Sequence, residues 1–167
     1  MTRFKGFTLI ELMVALALVA IIATIAVPSF NSLIRHNRLE SQAEELNSLL
    51  QYARSEALIR KVRTRVEIDT ATGDITVGRD SAGATIPEES TLRKSSLQLN
   101  SISLAASTST VRYLPTGASS TPNFRAIFCT DDNAEEGRLL TVSGSGATQL
   151  HHKGQDSDGT ALGGCTP

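Results

Sequence analysis

The feature that most constrains this chain is a run of apolar residues close to its N-terminus. From Phe7 to Phe30 there are 24 residues, and only one of them, Glu11, is charged. A helix needs about 20 apolar residues to cross the hydrocarbon core of a bilayer, so this run is long enough to span it. Arg3 and Lys5 precede the run and place the N-terminus in the cytoplasm by the positive-inside rule. The sequence therefore predicts one membrane-spanning helix, with the remainder of the chain exported.

Two simpler interpretations of the apolar run explain less of it. An ordinary secretory signal has a small-residue cleavage site after its apolar region, and Ala26-Val27-Pro28 is a poor version of such a site. A plain membrane anchor has no use for Glu11, because a carboxylate within the hydrocarbon is disfavoured by ~2.5 kcal/mol or more. Charged residues at such depth usually mark functional sites, so Glu11 is the first candidate site residue.

The residues around Glu11 resemble the type IV prepilin motif, in which a short basic leader is followed by the pattern Gly6-Phe7-Thr8-Leu9-Ile10-Glu11-Leu12. The resemblance implies that a prepilin peptidase cleaves between Gly6 and Phe7 and that the new Phe7 amine is methylated. It also implies that Glu11 pairs with the N-terminal amine of a neighbouring subunit during filament assembly. A buried carboxylate is neutralised best by a cation within hydrogen-bonding range, so such a pair would fix the axial register between subunits.

Pro28 lies near the outer end of the apolar run and predicts a helix kink. Proline lacks an amide hydrogen, and its ring clashes with the carbonyl group four residues earlier. In proteins with the prepilin motif, a proline at this place accompanies bending or melting of the helix during packing into the filament. A simple kink at the membrane edge is an equally good explanation of Pro28.

The helical pattern continues beyond Pro28 but acquires a single apolar face. We expect one helix from about residue 7 to about residue 60, whose second half has an apolar stripe at spacings of three and four residues: Leu39, Ala43, Leu46, Leu50, Ala53 and Ala57. The stripe lasts under three heptads and strand signals follow at once, which favours packing on its own domain over a coiled coil. We therefore divide the chain into a leader (1–6), the transmembrane and assembly half of the helix (7–30) and a periplasmic globular domain (31–167).

The remainder of the chain predicts antiparallel β structure. Strand patterns separated by residues rich in Gly, Ser and Asp occur at 64–68, 75–77, 97–104, 110–114, 124–130, 138–142 and 149–151. The first two form a hairpin around a turn at 70–74, and a polar loop follows over 79–90. The predicted fold class is α+β, with the long helix packed on one or two small antiparallel sheets.

The order of these elements resembles the GspH/FimT group of minor pilins. The similarity lies in the helix segment 43–57, in a strand that ends in an aromatic residue and a glycine turn (111–117), and in a late strand (137–143). It implies a low-abundance subunit that primes pilus assembly or sits in a tip complex, with roles in twitching motility and adhesion. The implied partners are other minor and major pilins, the prepilin peptidase and the inner-membrane assembly platform. A minor pseudopilin of a type II secretion system has the same anchor, glutamate and fold, so the sequence leaves that alternative open.

The two cysteines, Cys129 and Cys165, lie in the last quarter of the chain. In a cytosolic protein two cysteines are usually free thiols, whereas in an exported domain they usually form one disulfide. Because the positive-inside rule predicts that this part of the chain is exported, we expect Cys129 and Cys165 to form a disulfide that fixes a glycine-rich tail.

Catalytic chemistry has little support in the sequence. No Ser, His and Asp form a recognisable nucleophile pattern, and Gly144-Ser145-Gly146 lacks the lysine and the helix of a phosphate-binding loop. His151 and His152 could form a metal site with Asp156 and Asp158. Adjacent residues of a strand point to opposite faces, however, so the two imidazoles would diverge. We expect no enzyme activity, no metal and no cofactor.

DNA binding is the serious rival function, because FimT-like relatives act as DNA receptors. Their pattern is Gly-Arg-x-Arg after the late strand, and the comparable segment here, Gly146-Ala147-Thr148-Gln149, has neither arginine. A basic cluster does follow the helix, but four cations there are more typical of a solvated helix end, where they suit the dipole: Arg60, Lys61, Arg63 and Arg65. The net charge of −1 also provides no basic field for nucleic acid. We therefore keep DNA uptake as an alternative and do not expect DNA to be the main partner.

Overall fold

A computed structural model of the chain describes residues 8–81 and 85–167, with the side chains of residues 25–29 excepted. Contacts divide the chain into two units, the first ending at Asn37 and the second running from Arg38 to Pro167. The helix, α1, spans Leu9–Arg60. Its C-terminal end is the predicted one, and Phe7, the predicted first residue, lies outside the described part of the chain.

Two four-stranded antiparallel sheets, which we call sheet A and sheet B, follow the helix. Sheet A has the strand order β3-β2-β1-β5, and sheet B has the order β4-β6-β7-β8. A short 3-10 helix over Glu88–Ser90 precedes β3. The strands are β1 (Thr64–Ile68), β2 (Asp74–Arg79), β3 (Thr91–Ser96), β4 (Ile102–Ala106), β5 (Thr110–Tyr113), β6 (Phe124–Thr130), β7 (Asn133–Val142) and β8 (Thr148–Leu150). The α+β prediction is therefore confirmed.

The core of the second unit is formed by one face of the helix and by residues from both sheets. All six residues of the predicted stripe are at most 1% exposed, from Leu39 to Ala57. They share one apolar cluster with Val66 and Val77 of sheet A and with Phe124 and Phe128 of sheet B. Full burial of a Leu or Phe side chain contributes ~1.5–3 kcal/mol, so this stripe is the main reason why both sheets pack on one helix.

Sheet B is covered on its other face by the C-terminal tail. Ile127, Cys129 and Leu139 form a second, smaller apolar cluster with Leu162 of the tail. Cys129 is disulfide-bonded to Cys165, which confirms the predicted pairing. Strand β6 is therefore buried on both faces, and the tail is part of the packed domain.

Some of the predicted strands need correction. The predicted strand over 97–104 is right only for its last three residues, because residues 97–99 have no regular structure, residues 100–101 form a turn, and β4 begins at Ile102. Strand β3 was not predicted, because the segment Thr91–Ser96 contains Arg93, Lys94 and two serines and lacks the apolar alternation of a strand. Arg79, which was predicted to lie in a loop, is the last residue of β2. Strand β7 begins five residues earlier than predicted, and β8 is shifted towards the N-terminus by one residue. The ends of the strands are set by hydrogen bonds between neighbouring strands, and the apolar pattern of the sequence predicts these bonds only in part.

Candidate assembly site

The helix begins with a pair of residues that cap each other. Thr8 immediately precedes Leu9, the first helical residue, and Glu11 is the third residue of the helix. The Thr8 backbone N–H and the Thr8 hydroxyl both donate to Oε2 of Glu11 at 2.8 Å, and the Glu11 backbone N–H donates to Thr8 Oγ1 at 3.3 Å. This is a capping box, which satisfies amide hydrogens that have no partner within the helix.

The capping box gives Glu11 a local role that the sequence analysis missed. The signal was present, because Thr or Ser followed three residues later by Glu is the usual pattern of a capping box. The carboxylate also lies near the positive end of the helix dipole, which favours its charged form. Both bonds from Thr8 end on Oε2, and Oε1 has no hydrogen bond within the described part of the chain. One carboxylate oxygen therefore caps the helix while the other remains available.

Residues 9–24 of the first unit expose an almost unbroken apolar surface after this cap. Leu9 is 79% exposed and Ile22 is 64% exposed, which is far from the burial expected of side chains within a packed domain. Surfaces of this kind usually mark contact with other proteins or with a membrane. Among the side chains of this unit that the structure describes, the large exposed apolar ones are Leu9, Ile10, Leu12, Met13, Val14, Leu16, Leu18, Val19, Ile21, Ile22, Phe30, Leu33 and Ile34. Among the helices of the described residues, none combines the length and apolar character required to cross a bilayer.

Three of the predicted site residues are not characterised by the structure. Gly6 and Phe7, the predicted cleavage and methylation positions, lie outside the described residues. Pro28 falls within the range of α1, but its side chain is also outside the description, and the kink there stays a prediction. Of the predicted assembly residues, Glu11 alone has a described environment.

An ion pair joins the C-terminal tail to sheet B. Both terminal nitrogens of Arg125, on β6, donate to the two carboxylate oxygens of Asp156 at 2.9 Å. Hydrogen bonds from Arg125 and from Ser157 lower the pKa of Asp156, and the bond to Asp156 raises the pKa of Arg125. Together with the disulfide and Leu162, this pair holds the tail at three points. Its members are 31 residues apart in sequence, and no local pattern predicted it.

The two histidines that could have formed a metal site have different environments. His151 is buried and its Nε2 lies 2.9 Å from the hydroxyl of Thr141, whereas His152 is exposed. Burial is the main cause that lowers the pKa of His151, with the nearby Asp156 opposing it. Asp156 is engaged with Arg125, and across residues 8–81 and 85–167 no three His, Cys, Asp or Glu side chains group as metal ligands.

The basic cluster after the helix is partly neutralised within the domain. Arg65 is only 3% exposed and is paired with Asp80 and Glu67 on the outer face of sheet A. Arg60 is paired with Glu56, one helical turn earlier. Lys61 and Arg63 are exposed. The four cations therefore do not form one open surface.

Comparison with known proteins agrees with this geometry. Residues 42–146, well over half of the chain, match the family described as Type II transport protein GspH. The chain belongs to the GspH family. Residues 1–27 match the prokaryotic N-terminal methylation motif. No curated protein matches the chain.

Solved structures of two pilin-type proteins are similar to the GspH-family chain. The type IV minor pilin FimU of Pseudomonas aeruginosa is 25% identical, with a TM-score of 0.66, over 78% of this chain and 97% of that one. The minor pseudopilin EpsH of the Vibrio cholerae type 2 secretion system is 15% identical, with a TM-score of 0.56, over 71% of this chain and 99% of that one. At that identity, EpsH supports the fold alone.

These findings define the class of protein. The chain is a minor pilin or pseudopilin, of a type IV pilus or of a type II secretion system, and it is a structural protein rather than an enzyme. The methylation motif implies processing by a prepilin peptidase and assembly with other pilins. The pilin-like fold predicted from the sequence is thereby confirmed.

Proposed function

We propose that this chain is a minor pilin of a type IV pilus, a counterpart of FimU, that helps prime pilus assembly and forms part of the filament tip. Pilus biogenesis, twitching motility and adhesion would then depend on it. The observation that carries the proposal is the similarity to FimU, with a TM-score of 0.66 and 25% identity over 97% of that chain. The corresponding values for EpsH are lower, at 0.56 and 15%.

The proposed route starts at the inner membrane. The span over residues 7–30 anchors the precursor, with residues 31–167 in the periplasm. The peptidase cleaves between Gly6 and Phe7, and the Phe7 amine is methylated. The assembly platform then moves the subunit into a filament at the cell surface, where it contacts major and other minor pilins. Bending at Pro28 accompanies this packing.

Glu11 supplies the electrostatic contact in this route. In the filament, the Phe7 amine of a neighbouring subunit pairs with the Glu11 carboxylate. The capping box supports such a pair, because it holds Oε2 against Thr8 and leaves Oε1 without a bond in the described residues. A charge pair within an apolar environment is sensitive to geometry, which is why it can select one axial offset.

Deletion of the gene in its native host tests the proposal. We expect loss of most surface pili and of twitching, with secretion of type II substrates unchanged, and restoration of both phenotypes by the wild-type gene. A strain that keeps its pili but fails to secrete would contradict the proposal. It would instead support a minor pseudopilin, the alternative suggested by the family description.

DNA uptake is the second alternative, and charge argues against it. Removing Arg3 and Lys5 with the leader reduces the 16 basic residues to 14, against 17 acidic ones. Arg65 is also buried against Asp80 and Glu67. Phosphate binding requires clustered cations and weakens steeply with salt. In a gel-shift at physiological salt, the detergent-solubilised mature protein should bind duplex DNA only weakly, and sub-micromolar affinity would favour the DNA receptor.

A further inference from the structure

The four edge strands of the two sheets are not equally protected. Strand β5 is closed on its outer side, because Ser120 N–H donates to the Arg112 carbonyl at 3.0 Å and Arg112 N–H donates to Thr121 Oγ1 at 3.3 Å. Strands β4 and β8 have five and three residues, and β3, with six, is the longest of the edge strands. An edge strand is a template for pairing with another chain unless something blocks it.

The hydrogen-bond register shows which backbone groups of β3 face outwards. Leu97 N–H donates to the Gly73 carbonyl, and the register of β2 and β3 places Ser95 opposite Ile75. In an antiparallel pair, hydrogen-bonded and non-hydrogen-bonded residues alternate, so Ser95 points its backbone groups at β2. Lys94 and Ser96 then point theirs away, and these groups have no backbone partner within the described part of the chain.

The open edge has a defined end. Gln98 is the next residue after Ser96 whose backbone amide faces outwards, and this amide donates to Oε1 of Gln42 on the helix at 2.6 Å. The helix therefore closes the ladder at Gln98 and leaves Lys94 and Ser96 open. Two residues of this kind offer two N–H donors and two carbonyl acceptors, which is the pattern that an added strand requires.

Two neighbouring side chains of this edge, Arg93 and Lys94, are cationic and exposed. Arg93 has its guanidinium 5.8 Å from the ring centre of Tyr52 and makes no ion pair with the described residues. Among the described residues Lys94 is paired only with Glu88, which is 82% exposed, and a surface pair of this kind contributes ~0–1 kcal/mol. A groove of 520 Å³ runs along the same part of the sheet, lined by Asp74, Ile75, Thr76, Lys94, Ser95 and Ser96.

We propose that β3 accepts an extended, acidic segment of another protein as a fifth strand of sheet A. Backbone pairing to Lys94 and Ser96 would supply affinity, and acidic side chains on the same face as Lys94 would meet its ammonium group. A second copy of this chain is a poor occupant, because its β3 brings the same two cations to this edge, and antiparallel pairing centred on Lys94 places Lys94 opposite Lys94. Like charges directly opposite each other destabilise a strand pair. The inference goes beyond the proposed function and holds for a pilus or a secretion system alike.

Binding of a synthetic peptide to the full mature chain in detergent micelles tests the edge directly. The probe is a fluorescent peptide of alternating glutamate and valine, so that in an added strand the glutamates share the face of Lys94 and the valines face Tyr52. The decisive variant is Lys94→Pro, because it removes an outward amide hydrogen that makes no bond to β2. We expect at least a tenfold loss of affinity for Lys94→Pro, and a loss of about threefold for the charge-only variant Lys94→Gln.

Peptide controls keep the test valid if Lys94→Pro perturbs the fold. A probe with N-methylated backbone amides should lose at least tenfold in affinity for the wild-type chain, and a glutamine–valine probe should bind about threefold more weakly. Equal binding of the N-methylated probe, or of Lys94→Pro, would overturn strand addition. If the glutamine–valine probe binds as tightly as the glutamate–valine probe, the proposal that the partner is acidic is wrong. If the wild-type chain dimerises and Lys94→Pro abolishes the dimer, the occupant of the edge is a second copy of the chain.

Discussion

Arg54 on the helix donates a hydrogen bond from Nε to the carbonyl oxygen of Gly117 at 3.0 Å. A second bond runs from its Nη2 to the carbonyl oxygen of Ser145 at 3.1 Å. Gly117 follows β5 of sheet A, and Ser145 lies in the turn between β7 and β8 of sheet B. The turns are also in direct contact, since a Cβ added to Gly146 would lie 1.9 Å from the Gly117 oxygen. One side chain thus joins the helix to both sheets.

Replacing Arg54 should therefore destabilise the domain. Arg54→Met keeps the aliphatic stem but leaves two carbonyl groups without their charged donor, and hydrogen bonds to charged groups contribute ~1.5–3 kcal/mol each. Because the bond to Ser145 is exposed and contributes less, we expect urea unfolding of the solubilised chain to show a loss of ~2–4 kcal/mol in the free energy of unfolding. Gln51→Met is the matched control, because the exposed side-chain amide of Gln51 bonds only to Asn47 among the described residues. Equal stabilities of the two variants would contradict the role of Arg54.

The ion pair between Arg125 and Asp156 predicts a pH-dependent contribution to stability. The folded state lowers the pKa of Asp156 from its ordinary value of 3.8, so its contribution is present above pH 3.8 and is lost as pH falls through the lower, folded-state value. Asp156→Asn should melt below the wild type at pH 7, and the difference should shrink steadily below pH 3.8.

Thermal melting curves from pH 7 to pH 2 measure this difference. Glu136→Gln is the control, because Glu136 and its partner Lys153 are about half exposed and such pairs contribute ~0–1 kcal/mol. Its melting temperature should stay close to that of the wild type throughout. If the melting temperatures of the wild type and Asp156→Asn differ by the same amount at pH 7 and at pH 2, the ion pair does not stabilise the tail.

The sequence predicts local and periodic features of this chain better than its long-range contacts. The helix stripe and the full extent of β6 (Phe124–Thr130) are confirmed, since apolar periodicity reports burial directly. Strand β3 was missed because an edge strand with two cations has no apolar alternation. The pair of Arg125 and Asp156 depends on how the tail folds back, which no local pattern encodes. The capping box of Thr8 was readable in the sequence and was overlooked.

Maturation gives a prediction that is independent of the folded domain. We expect the mass of the purified protein to lack residues 1–6 and to carry one added methyl group on Phe7, because residues 1–27 match the N-terminal methylation motif. Intact-mass spectrometry of protein from the native host measures both changes. The same protein from a strain without prepilin peptidase should keep residues 1–6. Cleavage after Ala26, or no cleavage in the presence of the peptidase, would contradict processing as a prepilin.

The central claim is that the charge of Glu11 drives assembly, and variants of the capping box can separate that charge from helix capping. Glu11→Gln keeps a carbonyl oxygen that can accept the bonds from Thr8, but it removes the counter-ion for a neighbouring amine. Thr8→Val removes the capping hydroxyl, which typically changes helix stability by ~1 kcal/mol, and keeps the carboxylate. Leu12→Ala trims apolar surface without changing either, and all three should be expressed and membrane-localised like the wild type.

Quantification of surface pili, and of this subunit within sheared pili, tests the claim most directly. A buried charge that loses its partner is destabilised by ~3–5 kcal/mol. We therefore expect Glu11→Gln and Glu11→Ala to reduce pilus number and subunit incorporation at least tenfold, while Thr8→Val and Leu12→Ala stay within about twofold of the wild type. Wild-type levels of pili and of incorporated subunit in Glu11→Gln would contradict the claim that the Glu11 charge drives assembly.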